Sequence, residues 1–273
     1  MRLTLTLDSR PGTTIPINYQ YPISAVIYRI LARADAAYAS FLHQQGYSQA
    51  GSLKTFKLFC FSDLNTAFRI SGDRLVLTTG RATLIVCFYL PEAAEKFVSG
   101  LFADQRIQIA DNKSGGDFVV TGVELAASGL TSQPVQRHIL APLSAVICGQ
   151  KNERGNYDFL APGDPAFAPL LLNNWKEKYA AALGAEAATG AFAIAELKVL
   201  FYNQPPRSRL IAIKAGSAEE TKIRGFTGFQ LQVTGSRQAL ELLLDAGAGI
   251  YNSAAGCGCV EIVSTHKIHQ HGA

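Results

Sequence analysis

The sequence predicts an α+β fold made of two consecutive β-α-β-β-α-β units, and three observations carry that prediction. Short runs alternate apolar and polar residues with period two, as half-buried strands do. Between them lie stretches whose apolar residues recur at helical spacing. After a polar segment at residues 126–135 the whole order returns, which marks a tandem. This order of elements is the ferredoxin-like, or RRM-like, arrangement.

In the first unit, residues 1–125, Leu3, Leu5 and Leu7 alternate with Thr4 and Thr6 as a strand, which Asp8, Ser9, Arg10, Pro11 and Gly12 end. Val26, Ile27, Ile30, Leu31, Tyr38, Phe41 and Leu42 give the stretch 24–45 a helical period. Asp35 stands where it would cap a second helix, so the stretch is read as two helices broken near Ala34. Residues 55–62 form an apolar strand, and 74–79 with 83–89 read as a hairpin around Gly80 and Arg81. Pro91 opens a helix that runs to Phe102, and a strand at 118–125 closes the unit. The second unit, residues 136–263, reads as a strand at 139–149, a helix at 164–182 with Pro165 at its start, strands at 195–202, 209–214 and 229–233, a helix at 236–245 capped by Ser236, and a strand at 257–263. Residues 264–273, with His266, His269 and His271, read as a flexible tail.

Composition narrows the function classes. With 48% hydrophobic and 17% charged residues the chain has the material for a core and is not a disordered segment. A net charge of +4 and a pI near 8.8 permit a nucleic-acid partner without demanding one. Cys60, Cys87, Cys148, Cys257 and Cys259 are odd in number, contain no CxxC pair and lie in apolar runs. They read as buried thiols of a reducing compartment, not as disulfides or a zinc site. No secretory h-region and no apolar run of ~20 residues is present, so a soluble, cytoplasmic protein is expected. Nothing matches a nucleotide P-loop, a metalloprotease helix or a nucleophile elbow, and no metal or cofactor is expected.

The most distinctive segment is residues 247–258, where the pairs Gly247/Gly249 and Gly256/Gly258 flank a short linker containing Asn252 and Ser253. Glycines let the backbone turn through positive φ and let another chain approach closely. Successive N–H groups can then cradle phosphate oxygens. Read alone, the segment serves equally as a tight helix-to-strand turn.

This segment resembles the C-terminal glycine-rich loop of the RAMP superfamily, specifically of the CRISPR repeat endoribonucleases of the sixth Cas family. The family pattern joins two GxG pairs by a five-residue linker, often with Asn-Ser or basic residues. Here Asn252-Ser253 is present, six residues separate Gly249 from Gly256, and the basic residues are missing. Leu140-Ala141-Pro142-Leu143-Ser144 resembles the strand that opens the family's second domain. Tyr157 to Phe167, then Asn174-Trp175-Lys176-Glu177-Lys178-Tyr179, resemble its following turn and helix, and Lys222 to Phe229 the strand before its last helix. The resemblance covers nearly the whole chain. It implies a metal-independent endoribonuclease that cuts precursor CRISPR RNA within the repeats by attack of a 2′-hydroxyl, leaving a 2′,3′-cyclic phosphate and a 5′-hydroxyl. It implies CRISPR repeat RNA as the partner, with other Cas proteins of an effector complex beside it; monomer and homodimer both stay open. The alternative is a catalytically inactive member that binds repeat RNA or scaffolds a surveillance complex.

Cleaving RNA without metal needs a base for the 2′-hydroxyl, a donor for the charge on phosphorus and an acid for the leaving oxygen. By itself His43 reads as a histidine at a helix C-terminus. The family carries a Leu-His pair whose histidine acts in catalysis, so the resemblance makes His43 of Leu42-His43 the acid or base. Tyr28 matches a family position near the scissile phosphate. The two are fifteen residues apart, about 22 Å along one straight helix, so a break at Ala34-Asp35 is required. Lys54, at a loop-to-strand junction, is the expected stabiliser of the phosphorane, with Lys57 as its competitor. Arg207, Arg209, Lys214, Lys222 and Arg224, offset only by Glu219 and Glu220, read as an RNA backbone track with Phe226 and Tyr251 as stacking surfaces, or as a solvated face.

Overall fold

A computed structural model describes residues 1–263. The first half runs β1 (Arg2–Asp8), β2 (Thr14–Pro16), α1 (Gln20–Ala34), α2 (Ala36–Gln44), β3 (Phe59–Phe61), β4 (Phe68–Ser71), β5 (Arg74–Leu77), β6 (Arg81–Phe88), α3 (Pro91–Ala103), β7 (Arg106–Ala110) and β8 (Gly115–Ala126). Its main sheet has the order β3-β6-β1-β8-β7, with antiparallel neighbours throughout. The second half runs β9 (Val135–Pro142), β10 (Gly149–Lys151), β11 (Tyr157–Phe159), α4 (Phe167–Leu183), α5 (Ala185–Ala191), β12 (Glu196–Phe201), β13 (Arg207–Ile213), β14 (Thr221–Thr227), β15 (Phe229–Ser236), α6 (Arg237–Ala246) and β16 (Val260–Ile262). Its main sheet is ordered β12-β15-β9-β16. The second half's strands thus lie in the order second, third, first, fourth, the arrangement of a ferredoxin-like unit, and the first half repeats it with β8 in the fourth place and β7 added as an edge strand, so the single strand expected at 118–125 is one arm of a hairpin. Each half also inserts a hairpin between its second and third strands, β4–β5 in one and β13–β14 in the other.

Alternation decides which side of the first sheet meets which partner. Leu3, Leu5, Leu7, Phe59, Phe61, Leu84, Val86 and Phe88 share one core with Ile23, Ile27, Ile30 and Leu31 of α1 and Phe97 and Leu101 of α3. The helices cross closely at Gly100, where a Cβ would lie 1.9 Å from the Ile30 carbonyl oxygen. The intervening residues Cys60, Ile85 and Cys87 face the other way and are covered by Leu143 and Cys259 of the second half. In the second half Trp175 of α4 is buried and its Nε1 donates to the Ala239 carbonyl at the start of α6 at 2.8 Å. Ser236 caps α6 as expected, accepting from the Ala239 N–H.

Several expectations need correcting. The stretches 74–79 and 83–89 do not pair with each other: β5 pairs with β4 and β2, whereas β6 pairs with β1 and β3. The reversal sits at Gly72, φ +60°. Gly80 serves a different need, since a Cβ there would come within 2.6 Å of the Ser9 carbonyl oxygen. The strand expected over 139–149 ends at Pro142, which has no N–H for the ladder. Beyond it Val146 bridges to Phe226 of β14. Phe226 is buried in the second core, so it offers no stacking surface. All five cysteines are free and buried. Among the described residues no helix is long and apolar enough to cross a membrane. The tail 264–273 lies outside the described residues.

Candidate active site and nucleic-acid interface

The break between α1 and α2 sets the geometry of the first cluster. Asp35 is extended, at φ −155° and ψ 99°, and its side chain accepts the Tyr38 N–H at 2.9 Å. Its other carboxylate oxygen pairs with Lys96 of α3 at 2.6 Å, and these contacts hold its carboxyl below the usual range. The chain doubles back at this point, and the rings of Tyr28 and His43 meet edge to face with centroids 4.9 Å apart. His43 is exposed on the last turn of α2. Tyr28 is half-buried and rests on Phe59 of β3 at 5.6 Å. Burial pushes the Tyr28 phenol up, so at neutral pH it keeps its proton and acts as a donor.

Two lysines follow on the segment into β3, and the structure separates them. Lys57 donates from Nζ to the carbonyl oxygen of His43 at 3.0 Å, and burial lowers its affinity for a proton. Lys54 instead pairs with Glu177 of α4 at 2.6 Å, its ammonium 5.4 Å from the centroid of the Phe56 ring. Two unusual backbone positions fix this segment. Gly46 turns at φ +70°, and a Cβ there would sit 2.6 Å from the Phe56 carbonyl oxygen. Leu58, buried, holds φ +53°, a conformation that a bulky side chain adopts only under constraint. It stands between Lys57 and Phe59 and sets the directions in which they project.

The glycine-rich segment is built from two buried anchors and a half-exposed tip. Gly247, Gly249, Gly256 and Gly258 are buried, whereas Asn252 and Ser253 are partly accessible. Close approach explains the glycines. A Cβ at Gly256 would strike the Phe61 ring at 2.4 Å, and one at Gly258 would lie 2.5 Å from the Gly249 nitrogen. Gly247, Gly256 and Gly258 also hold positive φ. The segment beyond Pro142 forms the floor, with Ile250 N–H donating to the Ile147 carbonyl and Gly258 N–H to that of Ala145. The tip, a single 3-10 turn at Ser253–Ala255 opened by Asn252 at φ +59°, packs on α1 and β3. These are the two elements that carry Tyr28 and Phe59. Gly256→Ala is expected to cost about 2 kcal/mol from the left-handed backbone and the ring contact, read as a lower denaturant midpoint.

Beneath the loop lies a group that sequence reasoning missed. Lys178 of α4 is 2% exposed, and its Nζ donates to the carbonyls of Ala246, Gly247 and Gly249 at 3.2, 2.6 and 2.9 Å. Asn174, one turn earlier, donates to the Gly249 carbonyl at 3.0 Å. Three acceptors match the three protons of an ammonium, while desolvation lowers Lys178 to about 7. The signal was available in the helical period: Leu171, Asn174, Trp175, Lys178 and Tyr179 form one buried face of α4.

The basic residues of β13 and β14 divide by role. Arg209 pairs with Asp63 through both carboxylate oxygens at 2.8 Å and lies over Tyr19, clamping the hairpin to the first half. Arg207 is exposed, Arg224 is exposed with Nη1 donating to the Ser208 hydroxyl at 3.2 Å, and Lys222 is exposed with Glu220 3.6 Å away. Lys214 pairs with Glu219. Tyr251 sits in an aromatic group with Tyr157 at 5.1 Å, and Lys151 lies over Tyr157 at 5.7 Å.

Comparison with known proteins gives this geometry a family. Residues 14–124 match the model "CRISPR-associated protein Cas6, N-terminal" and residues 131–262 the model "CRISPR associated protein Cas6, C-terminal". The chain is 30% identical over 186 residues to CRISPR-associated endoribonuclease Cas6 1 of Methanocaldococcus jannaschii, an alignment spanning 66% of each. Among solved structures it is similar to a CRISPR associated protein Cas6 (TM-score 0.67, 23% identity, covering 97% of this chain and 99% of that one). It is also similar to the product of a Cas6-related gene from Pyrococcus furiosus (TM-score 0.74, 16% identity, covering 97% and 99%). A RAMP protein described as binding different RNA substrates has the same fold (TM-score 0.73, 14% identity, covering 97% and 100%). With matched models over both halves and an endoribonuclease among its relatives, the chain belongs to the Cas6 family of CRISPR-associated endoribonucleases.

Proposed function

We propose that this protein binds precursor CRISPR RNA and cleaves it within each repeat by internal transesterification, without a metal ion. The observation that carries the reading is the contact of Tyr28 with His43, two residues that a straight helix would hold far apart. His43, exposed, exchanges the proton of the 2′-hydroxyl or of the leaving 5′-oxygen. Tyr28, kept protonated by burial, donates to the phosphate and orients it. A lysine offsets the negative charge that builds on phosphorus. Lys57 is assigned that role ahead of Lys54, because its amine already touches the His43 backbone while that of Lys54 is engaged by Glu177. The tip of the glycine-rich loop, Asn252 and Ser253, meets the RNA backbone, and Arg207, Lys222 and Arg224 extend the phosphate track. The products are a 2′,3′-cyclic phosphate and a 5′-hydroxyl.

The test is cleavage of the cognate repeat RNA in EDTA, beside the same RNA carrying a 2′-deoxy sugar at the cut site. Cutting of the first and intact binding of the second support the reading; a requirement for added Mg²⁺ or cutting of the deoxy substrate overturns it. A protein that binds both and cuts neither is the inactive, RNA-binding alternative. Lys57→Ala is expected to slow single-turnover cleavage by roughly 10²-fold, and Lys54→Ala by less than tenfold. The reverse order returns the role to Lys54.

A further inference from the structure

The two halves meet at three thiols that the chemistry above does not use. Cys60 of β3 and Cys87 of β6 are direct cross-strand partners, and Cys259 enters from the second half, just after the glycine-rich loop. All three are fully buried, and their Sγ atoms lie within 4.8 Å of one another. Cys60 Sγ also approaches the carbonyl oxygens of Leu244 and Asp245, at 3.9 and 3.8 Å.

The charges around the cluster are as telling as the sulfurs. Arg2 is 8% exposed. Its Nη1 donates to the Val260 carbonyl at 2.9 Å, but its Nη2 has no partner among the described residues. An arginine keeps its charge in any environment, and a buried cation without a counter-charge is costly. Asp245, the carboxylate beside the cluster, is taken by the Met1 amine at 2.6 Å. Three thiolates around a divalent ion carry a net single negative charge, which the Arg2 guanidinium balances.

We infer that Cys60, Cys87 and Cys259 form a binding site for one thiophilic d¹⁰ cation of the Zn²⁺ class, which ties the two halves of the chain together. Sulfur bonds near 2.3 Å at tetrahedral angles hold the three thiolates about 3.8 Å apart, so the sulfurs need contract by no more than about 1 Å, and the fourth position would fall to a water or to one of the Leu244 and Asp245 carbonyl oxygens beside Cys60. Binding would release the three thiol protons, and no electrons move. The ion would be structural. Phe59, next to Cys60 on β3, faces Tyr28 on the opposite side of the sheet, so the ion takes no part in RNA cleavage and the inference stands apart from the proposed function.

The probe is Cd²⁺, present while the reduced, metal-stripped full-length chain refolds from denaturant, with thiolate-to-cadmium charge-transfer absorbance as the readout. One equivalent per chain is expected, with Zn²⁺ bound first slowing its uptake and excess chelator removing it. The band should persist in a Cys148→Ala/Cys257→Ala protein and fall by at least tenfold in apparent affinity in Cys60→Ala, Cys87→Ala and Cys259→Ala. Where an alanine variant does not fold, Cys87→Val fills the space and gives the same reading. A refolded wild-type chain with no stoichiometric band, or a band that survives in the Cys259 variant, overturns the site and leaves three small buried hydrophobes.

Discussion

Replacing His43 by alanine is expected to slow cleavage of repeat RNA by roughly 10²- to 10⁴-fold, the usual contribution of a positioned proton-transfer group. Binding of the uncleavable 2′-deoxy RNA should stay within about threefold, because one exposed imidazole contributes little to a backbone interface. Folding should be unaffected: His43 is exposed on the last turn of α2, and Lys57 meets its backbone carbonyl, which alanine keeps. Tyr28→Phe isolates the phenol while preserving the ring contacts with His43 and Phe59. Single-turnover rates with saturating enzyme separate these effects from product release. Wild-type cleavage by His43→Ala would remove the imidazole from the mechanism.

The second large effect concerns stability. Lys178→Met keeps much of the side-chain volume but strands the three carbonyls that the lysine Nζ serves. Read near pH 10, where the buried amine carries no charge, the expected loss is about 3 kcal/mol, or roughly 10 °C in Tm for a chain of this size. The pH dependence gives an independent readout. Burial lowers Lys178 to about 7 from an ordinary 10.5. Between those values the unfolded chain holds a proton that the folded chain has released. This residue's contribution to stability therefore rises with pH from about 7 to about 10, and its penalty is complete below 7. Unfolding of Lys178→Met by urea across pH 6 to 10 should lack that slope. A variant as stable as wild type with an unchanged slope would show that the lysine does not hold the loop.

Much of the fold was legible because local chemistry and tertiary role agree. Leu3, Leu5 and Leu7 alternate and face one core. Asp35 has the chemistry of an N-cap and serves as one, which is why a helix break could be read and the meeting of Tyr28 with His43 anticipated. The misreadings come from residues whose job is set at a distance. Gly80 looks like a turn glycine, yet it is there because the Ser9 carbonyl passes close by. Lys178 falls on the apolar face of its helix, which signals burial, but what it bonds is set by the carbonyls of a loop some seventy residues later. Arg209 reads as part of a basic track, and its partner Asp63 lies in the other half of the chain. Position at a loop-to-strand junction favours Lys54 over Lys57, and the partner that engages Lys54, Glu177, lies in the other half of the chain where spacing cannot show it.

The anchored glycines and the accessible turn between them respond differently to changes in chain length. At the anchors, one added residue would drive a side chain into Phe61 or into the opposite glycine backbone. Between them, residues 251–255 are half-exposed and rest on α1 and β3 of the first half. In the six-residue span from Ile250 to Ala255, one longer than the family pattern, Ile250 is held in the second core while Ala254 packs on the first, so the length of this span sets how the crown of the loop seats across the two halves.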